Sequence, residues 1–264
     1  MKQRIVSGAI IAALTIVLVL LGSIPFILFC LFIAIWGSYE FTSARLKKIN
    51  YFEFFSMLIF VILLNILYDS AIGLIIALLI ALLIHVIFNA EETIEDFAVT
   101  FFESLILGFG IHFLIEIEFL SKPLMGYAFI IAYLTDVFAY FVGMFFGKHK
   151  LNERISPKKT IEGAVGGWIL GAIISFIYAI CFKFFYTSPY FIAIWSIVLP
   201  PIIEIGDLAF SLIKRHYRIK DFSNLIPGHG GLLDRFDSLI FVVLVYGALA
   251  SIFRIYWLWK EYYY

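Results

Sequence analysis

Apolar runs of roughly 20 residues follow one another from Ile5 to Trp259, and no other property of this sequence restricts its fold so tightly. In helical form each run can cross a hydrocarbon layer about 30 Å thick. Of the 264 residues 63% are hydrophobic and only 14% charged, which excludes an ordinary soluble domain. The 30 Phe and 15 Tyr would suit a membrane β-barrel, but barrel strands alternate polar and apolar residues and these runs are continuous. Helices are therefore expected throughout.

Pro, Gly and clustered charges divide the chain into about nine expected spans. They are Ile5 to Leu21, Ile24 to Ala44, Phe54 to Tyr68, Ile72 to Phe88, Val99 to Ile115, Leu124 to Phe146, Ile161 to Phe184, Phe191 to Ile213, and Ser238 to Trp259. The third is short and its join near Asp69 tight, so a count of eight is the alternative. The first follows Lys2 and Arg4 as a signal peptide would, but no small-residue cleavage site stands near Ser23, and it is read as a retained span. The expected fold class is all-α, a polytopic transmembrane bundle with a polar site facing the cytoplasm. Residues 1–120 would form scaffold helices, and residues 121–264 a catalytic region with polar loops 147–163 and 214–237.

Orientation follows from the cations. With the N-terminus cytoplasmic, one side receives Lys2, Arg4, Arg45, Lys47, Lys48, Lys148, Lys150, Arg154, Lys158, Lys159, Lys214, Arg215, Arg218, Lys220 and Arg235. Only Lys122, Lys183, Arg254 and Lys260 of the 19 Lys and Arg fall on the other. A net charge of zero offers nothing to nucleic acid. Cys30 and Cys181 lie in separate apolar runs and are read as packed hydrophobes.

Both polar loops belong to the same side, as a shared site requires. In the second, Asp207, Ser211, Lys214 and Arg215 recur at helical spacing and are expected on one stripe. Pro227-Gly228-His229-Gly230-Gly231 is too rich in glycine for helix, and its backbone N–H groups can approach an anion closely. Asp234 and Asp237 then stand in the first turn of the last span and, with Asp221, offer carboxylate oxygens to Mg²⁺. Each feature alone could be a helix-end charge, a snorkelling cation or a turn. A structural loop, however, has no reason to combine them within so few residues. Asp136, Glu204 and Asp207 lie at membrane depth, where unpaired carboxylates are costly; Asp136 and Tyr140 share a helix face at i and i+4. His85 and His112 are read as packing residues, and Glu40 and Glu103, near span ends, are left without a role.

The stretch from Ser211 to Asp237 resembles the signature of the phosphatidate cytidylyltransferases, also called CDP-diacylglycerol synthases. The pattern Asp136, Ala139-Tyr140-Phe141, Gly143, Gly147-Lys148, then Ile155-Ser156-Pro157-Lys158-Lys159-Thr160 and Glu162-Gly163 is similar to that family too. Ile161 stands where an aromatic residue is frequent. The likeness covers roughly the C-terminal half; the N-terminal half matches in hydropathy alone.

The resemblance implies transfer of a cytidylyl group from CTP to phosphatidate, giving CDP-diacylglycerol and pyrophosphate with Mg²⁺, a second cation being left open. Asp221, Asp234 and Asp237, with Asp207, would hold the metal. Lys214, Arg215, Lys220 and Arg235 would clamp phosphates, and Ser156, Lys158, Lys159 and Thr160 would face the nucleotide. The turn at Gly228, Gly230 and Gly231 would cradle phosphate oxygens, and His229 would donate to departing pyrophosphate. Partners are then CTP, phosphatidate and the lipid bilayer of a cell inner or plasma membrane, and a homodimer is compatible with the sequence. The rival readings are a CTP-dependent polyprenol or dolichol kinase, an ion-coupled transporter using Asp136, Glu204 and Asp207, and a structural scaffold.

Overall fold

The computed structural model describes residues 17, 21–46, 49–182, 189–226 and 230–253. Nearly all of the first expected span and the end of the last one lie outside these residues. So do Lys2, Arg4, Lys47, Lys48, Lys183, Arg254, Lys260 and, in the glycine turn, Pro227, Gly228 and His229.

Among the described residues eight α-helices overlap the second to ninth expected spans: α1 (Ser23–Leu46), α2 (Tyr51–Ile66), α3 (Ala71–Phe88), α4 (Ile94–Leu120), α5 (Lys122–Phe146), α6 (Ile161–Phe182), α7 (Pro189–His216) and α8 (Leu233–Phe253). Among the described residues six segments, not the nine expected, are long and apolar enough to cross a membrane: Ser23–Ala44, Tyr68–Phe88, Ile94–Leu120, Lys122–Phe146, Ile161–Phe182 and Ile192–His216. At 16 residues α2 is too short. The first polar loop holds an addition to the all-helical expectation: β1 (Lys150–Asn152) pairs antiparallel with β2 (Ser156–Thr160), Lys150 opposite Thr160 and Asn152 opposite Ser156.

The chain divides into two compact units, residues 1–119 with 212–236, and residues 120–211 with 237–264. In the first, local chemistry sets the helix ends. Asn50 caps α2 by accepting from the Phe52 and Glu53 N–H groups, while its own amide donates to Glu92 at 2.9 Å. Thr93 and Asp96 exchange hydrogen bonds in a capping box that opens α4. Phe26, Ile33, Phe41, Met57, Leu64, Leu107 and Ile117 are buried. Ile72, Ile76, Ile80, Ile84 and Ile87 of α3 are exposed, as side chains facing acyl chains would be.

In the second unit Ser121 caps α5. Gly163, Gly167 and Gly171 recur every fourth residue along the buried face of α6 and let it approach α5 at backbone distance. A Cβ on Gly163 would lie 2.6 Å from the Ala139 carbonyl, and one on Gly167 2.8 Å from that of Thr135. Pro200 and Pro201 interrupt the ladder of α7. Pro201 has no N–H for the Ile197 carbonyl, which accepts from Trp168 Nε1 at 2.7 Å instead.

Candidate active site

In the first unit α7 ends on a residue that favours no such ending. Arg218 adopts the left-handed conformation (φ 56°), and Ile219 N–H turns back onto the Lys214 carbonyl at 2.9 Å, as in a Schellman cap. The chain is thereby redirected across Lys214. That side chain is buried beside the Phe222 ring, 5.5 Å from its centroid, and donates to Asp234 Oδ1 at 2.6 Å. Asp234 Oδ2 accepts from Phe222 and Gly231 N–H, both at 2.9 Å. One carboxylate thus neutralises the buried ammonium and pins two points of the loop.

Lys214 and Arg215, expected to share a stripe, part company: Lys214 is buried, whereas Arg215 is exposed and donates to the Ile219 carbonyl. Lys220 and Asp221 are exposed and Arg235 half-buried. Gly230 has φ 83° and lies between two of the expected metal ligands; a Cβ there would stand 2.8 Å from Asp234 Oδ2 and 3.2 Å from Asp221 Cγ. Of the glycine turn, Gly231 donates its N–H to Asp234, and Leu232 and Leu233, which follow it, donate to Glu40.

Glu40, left without a role in the sequence, is the hub of this unit. It is fully buried in α1. Its Oε1 accepts from Ser223 Oγ at 2.6 Å, Leu232 N–H at 2.8 Å and Trp36 Nε1 at 3.1 Å, and its Oε2 from Leu233 N–H at 2.8 Å. The signal available in the sequence was a carboxylate within an apolar run, expensive unless satisfied. Its partners lie as much as 193 residues away and leave no local trace.

The second unit gathers other charges. Lys159, at the end of the hairpin, turns inward to pair with Glu204 at 2.6 Å and with Asp207. Burial alone would lower its ammonium, but Asp207, Glu204 and Asp136 outweigh burial and hold it above the ordinary lysine range. Lys158, its neighbour, is exposed. Asp136 accepts from Ser238 Oγ at 2.7 Å, while Tyr140, expected on the same face, is 66% exposed.

Asp237 is buried and accepts from Ser238 N–H at 2.8 Å, Ser211 is buried, and Ser156 is half-buried. Thr160, expected at the nucleotide, caps α6 through Gly163 N–H at 3.1 Å, and Gly143 and Gly147 leave it room. Glu162 accepts from Lys148 and His149 N–H and from the His149 ring, fastening the hairpin's base. Among the described residues no three His, Cys, Asp or Glu side chains come together closely enough to hold a metal by themselves.

Six helices long and apolar enough to cross a bilayer, carrying buried lysine–carboxylate pairs, mark a membrane protein. The chain belongs to the cytidylyltransferase family, whose sequence pattern matches residues 2–253. A protein named phosphatidate cytidylyltransferase from Bacillus subtilis (strain 168) is 32% identical over 259 residues, 92% of this chain and 95% of that one. Proteins of the same name from Staphylococcus saprophyticus and Staphylococcus haemolyticus are 42% identical over 137 residues and 44% over 117. These cover 52% of both chains in the first case, and 44% of this chain and 45% of the other in the second.

Proposed function

We propose that this enzyme transfers a cytidylyl group from CTP to phosphatidate, releasing pyrophosphate and leaving CDP-diacylglycerol in the bilayer. The observation that carries the reading is similarity along nearly the whole chain to the Bacillus protein of that name. A non-bridging oxygen of the lipid phosphate forms the new bond to the α-phosphorus. The bond from that phosphorus to the α–β bridging oxygen breaks, and its electron pair leaves with pyrophosphate. The nucleophile is already an anion, so no serine or cysteine intermediate is needed; the demand on the protein is alignment and charge neutralisation.

In the first unit exposed Arg215 and Lys220 would meet phosphate; in the second, taken by itself, exposed Lys158 would face the nucleotide. His229 would donate to the leaving pyrophosphate. Mg²⁺ commonly takes one or two carboxylates and fills its remaining positions with substrate phosphates and water. Asp221 and Asp234, the carboxylates on either side of Gly230, would hold the ion, with phosphate oxygens and water as its other ligands. When bound there, the ion supplies positive charge to the triphosphate. The acyl chains stay in the membrane, and the polar loops face the cytoplasm.

With CTP labelled at the α-phosphorus, purified protein and phosphatidate are expected to carry label into the lipid phase in a Mg²⁺-dependent way, with one pyrophosphate released per lipid. Asp221→Asn lowers turnover about 100-fold, in the range seen for loss of one electrostatic contact to a reacting group. Release of labelled CDP into water together with a phosphorylated polyprenol would overturn the reading in favour of a kinase.

A further inference from the structure

We infer that Glu40 is a positioning residue for this reaction: from α1 its buried carboxylate sets residues 221–226 and 230–234 and thereby Asp234 and Lys214. The inference rests on the cytidylyltransfer reading. Among the described residues no cation pairs with Glu40, and a fully buried carboxylate is then stable only if hydrogen-bond donors converge on it; of the four that do here, three come from the loop. Leu232 and Leu233 N–H belong to the opening of α8, where a helix carries partial positive charge and lacks intrahelical acceptors. Glu40 therefore caps α8 from a distant part of the chain, while Ser223 ties down the other limb of the loop.

The next residue after Leu233 is Asp234, whose two oxygens must meet Lys214, Phe222 and Gly231 simultaneously. Fixing Leu232 and Leu233 fixes that aim. Gly231 also acquires a reason. A Cβ there would lie 2.6 Å from Glu40 Oε1, so the glycine is demanded by the protein's own carboxylate.

Glu40→Gln keeps the shape but sets an amide N–H₂ among donors, so it is expected to fold while the loop loosens. Its kcat should fall about ten- to a hundredfold, as for small misplacements of a reacting constellation. Trypsin should cut faster between Arg215 and Lys220, with thermal unfolding of the full-length protein in detergent little changed. Ser223→Ala alone should give a smaller loss, and Glu40→Gln with Ser223→Ala no more than Glu40→Gln alone, because both act through one contact. Gly231→Ala should reproduce the Glu40→Gln pattern and serves if the latter does not fold. Wild-type kcat in a folded Glu40→Gln or Gly231→Ala protein, or an unchanged tryptic pattern with additive losses, overturns the inference. If the wild-type protein makes no CDP-diacylglycerol, the cytidylyltransfer reading fails, and the tryptic comparison still reports whether Glu40 holds the loop.

Discussion

Lys214 is the residue for which chemistry and stability are most tightly joined. Its side chain is 9% exposed and that of Asp234 3%, so neither charge is solvated by water. Removing one member of such a pair strands the other, at about 3–5 kcal/mol, whereas replacing both with uncharged groups of similar volume is far milder. Asp234→Asn should lower the unfolding temperature sharply and abolish turnover. Lys214→Met combined with Asp234→Asn should recover most of the stability, since the amide oxygen still accepts from Phe222 and Gly231 N–H, yet remain inactive. Thermal melts of the three proteins in one detergent decide the matter, and a double variant no more stable than Asp234→Asn would show that the pair carries little of the folding energy. The sequence placed both residues in the site but on separate duties, metal and phosphate. Their partnership was not legible, because charges 20 residues apart can meet only if the chain reverses between them.

Among elements, α6 shows how a simple spacing becomes a packing rule. Gly163, Gly167 and Gly171 face α5 with no room for side chains, and in lipid, helix association depends on such close approach. Gly167→Val should therefore cost about 1–3 kcal/mol or more by overpacking against Ala139 and Thr135. Gly73 in α3 has open space where its Cβ would be, and Gly73→Ala should be neutral or stabilising by up to about 1 kcal/mol through helix propensity. Equal destabilisation of the two variants, read from detergent melts, would refute the distinction. Helix positions were legible because an apolar run of the right length has few alternatives in a bilayer. The hairpin at 150–160 was not, since its strands are three and five residues long, polar, and interrupted by Pro157. Its fastening to Glu162 depends on contacts with the following helix.

For the whole molecule, the distribution of Lys and Arg predicts which loops share a membrane face. Single cysteines at Lys158 and Lys220 in a background without Cys30 and Cys181 should react with an impermeant maleimide only from the cytoplasmic side, and one at Lys122 only from the opposite side. Labelling of Lys158→Cys and Lys220→Cys from different sides would break the topology. The sequence by itself determined that the chain is a helical membrane protein, roughly where its helices lie, and which family it belongs to. Hydropathy accumulates locally along the chain, and a fixed-spacing motif carries its own register. Tertiary structure alone decided how charges are paired: Lys214 with Asp234, Lys159 with Glu204 and Asp207, and Glu40 with the backbone of a loop nearly 200 residues away. A carboxylate's partner is chosen by which backbones can pack closely enough to exclude water, and that depends on contacts between segments far apart in the chain.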